Sequence, residues 1–124
     1  MGPLQSGVGS APAVAVAGTV ALFALFLSLT AHIAARNVLG DVPIRNAFLV
    51  GPVPAAVAVV ATALELPSIP AVVVALVLDA ALVGYVYGLD RRLTAAVTGV
   101  HAVVSVILGS VLFSLYVLVR SAPG

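Results

Sequence analysis

Asp79 and His101 carry the chemistry that their surroundings do not explain. Asp79 stands in Val77-Leu78-Asp79-Ala80-Ala81, the one charged side chain inside a long apolar stretch. A charge at bilayer depth costs about 2.5–3.5 kcal/mol on insertion scales, so such a residue is a candidate site by default. Asp79 lies nine residues before Gly88 and His101 nine after Arg92, which puts both about 13 Å inside the same boundary at the helical rise. An Asp79–His101 contact is therefore allowed by height. A carboxylate favours a charged imidazole while burial favours the neutral form of both groups. Such a pair carries a proton or forms a static hydrogen bond, and the static version is the expectation. His32 sits about one turn inside the end of its own span, about 6 Å deep, where its ring reaches water. A haem held between His32 and His101 would need equal depths, and theirs differ by about one turn. No cofactor and no metal are expected.

Gly51-Pro52-Val53-Pro54 is the other irregularity. A helix beginning at Pro54 would reach Leu66 in about 20 Å, too short to span. The span must start earlier, near Asn46, with Gly51, Pro52 and Pro54 inside it. Each proline removes a backbone donor and bends the helix, leaving the carbonyls of Phe48 and Val50 without helical partners. Interrupted helices at mid-membrane accompany binding sites in transporters; a plain kink that fits the bundle is the simpler expectation.

The elements that position these residues follow from composition. The chain has 124 residues, 63% hydrophobic and 7% charged, against about 25% charged in ordinary domains. Its mean hydropathy is +1.30. A soluble globular enzyme and a disordered chain are both excluded. With no cysteine there are no disulfides and no thiolate metal sites. A net charge of +1 without a basic patch offers nothing to nucleic acid. The lipid bilayer is the expected partner.

Four uncharged or nearly uncharged stretches predict an all-α bundle of four transmembrane helices, at about 12–35, 46–66, 70–88 and 93–119. Barrel strands would be about 10 residues of alternating polarity, whereas these runs are continuous and twice as long. Short links make sequential helices antiparallel neighbours. A short extracellular tail over 1–11 precedes the single transmembrane domain, 12–119, and a short tail follows over 120–124. An uncharged N-terminal region and a long apolar run argue against a cleaved signal peptide. Pro70 suits the first turn of the third span, and Asp90 or Thr94 caps the fourth. All five basic residues are arginines. Arg36 and Arg45 in one loop and Arg91 and Arg92 in another, against Arg120 alone on the opposite side, put both loops in the cytoplasm and both termini outside.

Helices in lipid associate through small residues. Ala17, Ala21, Ala24, Ser28 and Ala31 form one stripe; Ala80, Gly84 and Gly88 a second; Ala95, Gly99, Ala102, Ser105 and Gly109 a third. They are expected to pack the bundle internally, with one of them available for a second copy or another membrane subunit.

The segment Thr30-Ala31-His32-Ile33-Ala34-Ala35-Arg36, with Val38-Leu39-Gly40-Asp41-Val42-Pro43-Ile44-Arg45 and Val50-Gly51-Pro52-Val53-Pro54, resembles uncharacterised small multi-pass membrane proteins of halophilic archaea. The resemblance is strongest over about residues 30–55 and implies a cell-membrane location, with no residue roles attached. No catalytic spacing is present: no Ser/His/Asp pattern, no HExxH, no phosphate loop and no carboxylate pair. The expected function is a structural or accessory subunit, or a self-associating bundle, without enzymatic activity. The alternative is a small proton-linked transporter using Asp79 and His101. Its size matches the small four-helix multidrug exporters, but their acidic residue lies in the first helix and this one is in the third.

Overall fold

In a solvent without hydrogen-bonding partners, a chain this apolar satisfies its backbone by making helices. The computed structural model describes residues 2–122, with side chains from Ala13 onward. It contains five helices: α1 (Gly2–Leu39), α2 (Ile44–Val50), α3 (Pro52–Ala63), α4 (Ser68–Tyr87) and α5 (Arg91–Ser121). Helices α2 and α3 follow each other with only Gly51 between them and form one apolar stretch, Ile44–Ala63. With Ala13–Leu39, Ser68–Tyr87 and Arg91–Ser121, that makes four helical units long and apolar enough to cross a membrane. The chain is all-helical and multi-pass.

The boundaries differ from expectation at several ends. Helix α1 is assigned from Gly2 and so runs through the residues read as an N-terminal tail; Met1 and residues 123–124 lie outside the described residues. The second unit begins at Ile44 and closes at Ala63, three residues before the expected end. The reason is a complete C-terminal cap: Glu65 N–H donates to the Thr62 carbonyl at 3.1 Å and Leu66 N–H to the Ala61 carbonyl at 2.8 Å. Glu65 takes the left-handed conformation that closes this motif, at φ 54°. Helix α4 starts at Ser68, which places Pro70 third in its first turn, where a missing donor costs nothing. The cap of α5 is Asp90, whose carboxylate accepts from Leu93 N–H at 2.9 Å.

Each unit packs on two neighbours. Helix α1 packs on α2, α3 and α5, and α4 likewise on α2, α3 and α5. Among the described residues the backbones of the diagonal pairs, α1 with α4 and α5 with α2 or α3, are not neighbours. The buried apolar core is Ala31, Ala34, Ala35, Ala47, Val50, Val83 and Val97. All seven lie toward the end that carries Arg36, Arg45, Arg91 and Arg92, here called the arginine end. Toward the opposite end the helices separate enough to leave an apolar groove of about 440 Å³ between α3 and α4, lined by residues such as Val57, Val60, Pro70 and Val74.

Candidate functional site

Polar side chains at the centre of an apolar bundle must find partners among themselves or in the backbone. Asp79 and His101, each 3% exposed, do both. His101 Nδ1 lies 2.7 Å from Asp79 Oδ2, and His101 Nε2 lies 3.0 Å from the Leu27 carbonyl oxygen. A carbonyl only accepts, so Nε2 carries a hydrogen and donates it. The contact with Asp79 then holds one further proton, shared between Nδ1 and Oδ2. The pair is either carboxylate with imidazolium or carboxylic acid with neutral imidazole, and its net charge is zero in both.

The local sequence explains the placement. Asp79 is near the middle of α4, eleven residues from Ser68 and eight from Tyr87. His101 faces inward from α5 beside buried Val97. From α5 it bonds to α1 on one side and α4 on the other, two helices whose backbones are not neighbours among the described residues.

The network continues on α1. Thr30 Oγ1 donates to the same Leu27 carbonyl at 3.1 Å and lies 2.8 Å from Ser105 Oγ. Since Thr30 has one hydroxyl hydrogen, Ser105 is the donor in that second bond. Thr30 was not among the expected site residues; a threonine inside the span, one helical turn from buried Leu27, was the available signal. Asp79 Oδ1, Ser28 Oγ, Thr98 Oγ1, Tyr87 OH and His32 Nδ1 are also buried, and have no hydrogen-bond partner. His32 is half-buried, and its Nδ1 is enclosed rather than turned to water.

The helix break has a specific neighbour. Gly51 keeps helical dihedrals, φ −58° and ψ −40°, and its N–H reaches the Ala47 carbonyl at 2.9 Å. A Cβ at Gly51 would overlap Oγ, N and Cα of Ser28. Gly51 is thus where α1 crosses the second unit backbone against backbone. Pro52 opens α3, where its missing donor is harmless, and Pro54 is buried.

The glycine stripes divide. Gly84 meets the side chain of Thr94, and Gly109 lies under Phe26. Gly88 does not pack: it closes α4 in the left-handed conformation, φ 64°. Gly99 is exposed with open space beside it. The expected stripe therefore turns outward at Gly99, because the face of α5 that enters the bundle is the one bearing Val97 and His101. Arg36, Arg45, Arg91 and Arg92 are all exposed, and Arg36 approaches Asp41 at 4.0 Å, a surface contact of little energetic weight. Among the described residues no three His, Asp or Glu side chains gather as metal ligands.

No curated protein and no solved structure matches the chain. A family model does match, over residues 10–123. That range takes in all four apolar units together with Asp79, His101 and the helix break, and the chain belongs to this family, a family of unknown function (DUF7473).

Proposed function

We propose that this protein is a non-catalytic structural or accessory subunit of the cell membrane, self-associating or bound to another membrane subunit. Both arginine-bearing loops lie in the cytoplasm and both termini outside. The resemblance over residues 30–55 favours a halophilic archaeal source. The observation that carries this reading is the engagement of His101 at the centre of the bundle. Both ring nitrogens of His101 are committed, one to Asp79 and one to a backbone carbonyl. A general base needs a free nitrogen, and this imidazole has none. Its work is to tie α1 to α4 through α5. The apolar surface toward the opposite end is available to lipid or to a partner helix. Purification in a mild native detergent with mass determination by light scattering tests the proposal. A self-associated species or a stoichiometric co-purifying membrane protein is expected; a strictly monomeric, solitary protein would overturn it.

A second reading, a small proton-linked transporter, is favoured by Asp79 Oδ1, a buried acceptor left without a partner. Flux measured in proteoliposomes with Asp79→Asn decides it. Transport by the mutant equal to wild type, or no transport by either, sinks this reading.

A further inference from the structure

Helix α5 carries a line of polar side chains of which the functional readings use only His101. At about 100° per residue, Thr94, Thr98, His101 and Ser105 fall within an arc of about 60°. They are spaced about one turn apart, with rises of about 6, 4.5 and 6 Å. Each is turned into the bundle. Thr94 Oγ1 faces Gly84, Thr98 Oγ1 is buried without a partner, His101 bonds Asp79, and Ser105 bonds Thr30. Two hydrogen bonds of about 2.8 Å through one water span about 5.6 Å, the size of the gaps in this line. Thr94 lies in the first turn of α5, beside exposed Arg91 and Arg92.

In the other direction α5 offers no such line. Beyond Ser105 the same arc carries exposed Leu112, with exposed Leu108 beside it, and the next polar group on it is Tyr116, about 16 Å further along. Phe26 closes on Gly109 beside that stretch. Ser110 and Ser114 point the other way round the helix.

We propose that the Asp79–His101 pair is a proton-binding site that exchanges with the arginine end of the bundle only, along the hydroxyl face of α5 with Thr98 as the intermediate group. The pair at rest holds one shared proton. Uptake delivers a second proton from a hydronium at the arginine end, through Thr94, Thr98 and bridging water, to the unpartnered Asp79 Oδ1. The product is a carboxylic acid beside an imidazolium, one positive charge above the resting state, with water left behind. Release reverses the step. The titratable and charged groups on the elements around the pair are few. Helix α1 contributes half-buried His32 and exposed Arg36, α4 half-buried Tyr87 and exposed Tyr85, and α2 exposed Arg45. Helix α5 contributes Arg91, Arg92, Tyr116 and Arg120, all exposed, and α3 contributes none. The inference depends on neither functional reading, since a clasp and a carrier could both take up this proton.

Infrared difference spectroscopy on the full chain in sealed vesicles tests it, with orientation fixed by labelling an introduced cysteine at Asp41. The Asp79 carboxyl bands are assigned by their loss in Asp79→Asn. A pH jump on the arginine side should change these bands, and a jump on the opposite side should not. Thr98→Val should slow the response about tenfold, the factor for about 1.4 kcal/mol added to a barrier, while Thr98→Ser keeps the wild-type rate. Should the Val variant fail to fold, Thr98→Ala removes the same hydroxyl. Response from the opposite side, equal response from both sides, or no response from either would overturn the proposal. So would a wild-type rate in the variant lacking the hydroxyl.

Discussion

At the residue scale, two glycines of the same chain should respond to the same substitution with opposite sign. Gly51→Ala forces a methyl into the backbone of Ser28, and a backbone cannot turn aside as a side chain does. Overpacking of this kind costs about 1–3 kcal/mol. Gly99 is exposed with nothing near it, so Gly99→Ala meets no obstacle and gains helix propensity, about 0.5–1 kcal/mol. Thermal unfolding in detergent micelles reads both. A neutral Gly51→Ala would mean that α1 and the second unit do not approach as closely as described. His101 is the other sensitive residue. Removing one partner of a buried, hydrogen-bonded pair leaves the second without compensation, at about 3–5 kcal/mol. His101→Ala orphans both the Asp79 carboxyl and a bond to the Leu27 carbonyl, so it should fall at the upper end. Replacing Asp79 and His101 together by leucine should cost less than His101→Ala alone. A double mutant that is worse would remove the clasp role from this pair.

At the element scale, the helix ends are where backbone geometry and residue type disagree. Glu65 occupies the left-handed position that glycine usually fills. A non-glycine residue there costs about 1–2 kcal/mol, partly offset because glycine loses about 0.5–1 kcal/mol more chain entropy. Glu65→Gly should therefore stabilise by about 0.5–1 kcal/mol, and Asp90→Ala, which removes the α5 cap bond, should destabilise by about 1 kcal/mol. Equal melting temperatures for both variants and the wild type would contradict these caps. The helices themselves were legible from the charge-free stretches, and so was the height match of Asp79 with His101. The facing of most helices was not. Lipid is as apolar as a core, so α1, α3 and α4 show hardly any sided pattern for periodicity to detect. Rotation about each axis is set by packing instead. That is why Gly51, noted only as part of a kink, proves to be the crossing point, while Gly99, noted as a packing residue, faces out. The Leu27 carbonyl was beyond reach for another reason: a backbone acceptor leaves no mark in residue type. Helix α5 is the exception, because its inward arc carries Thr94, Thr98, His101 and Ser105 and can be drawn from spacing alone.

At the scale of the whole molecule, four antiparallel units place the ends of α1 and α4 and the starts of α2 and α5 together. The arginine end thus gathers Arg36, Arg45, Arg91 and Arg92, and the other end has Arg120 with Tyr116, whose hydroxyl accepts from the guanidinium at 3.0 Å. Positive charge on short loops is retained on the cytoplasmic side during insertion, and the proposed orientation of the bundle rests on this asymmetry. The chain has no native cysteine, so single reporters can be introduced cleanly. Asp41 lies in the loop after α1 and Ser68 at the start of α4, and both are exposed. In intact cells, a membrane-impermeant thiol reagent should label Ser68→Cys and spare Asp41→Cys until the membrane is opened. Labelling of both from one side would break the four-span arrangement. Labelling of Asp41→Cys alone would keep the four spans but reverse them, and the proposed route along α5 to the Asp79–His101 pair would then open outward instead of toward the cytoplasm.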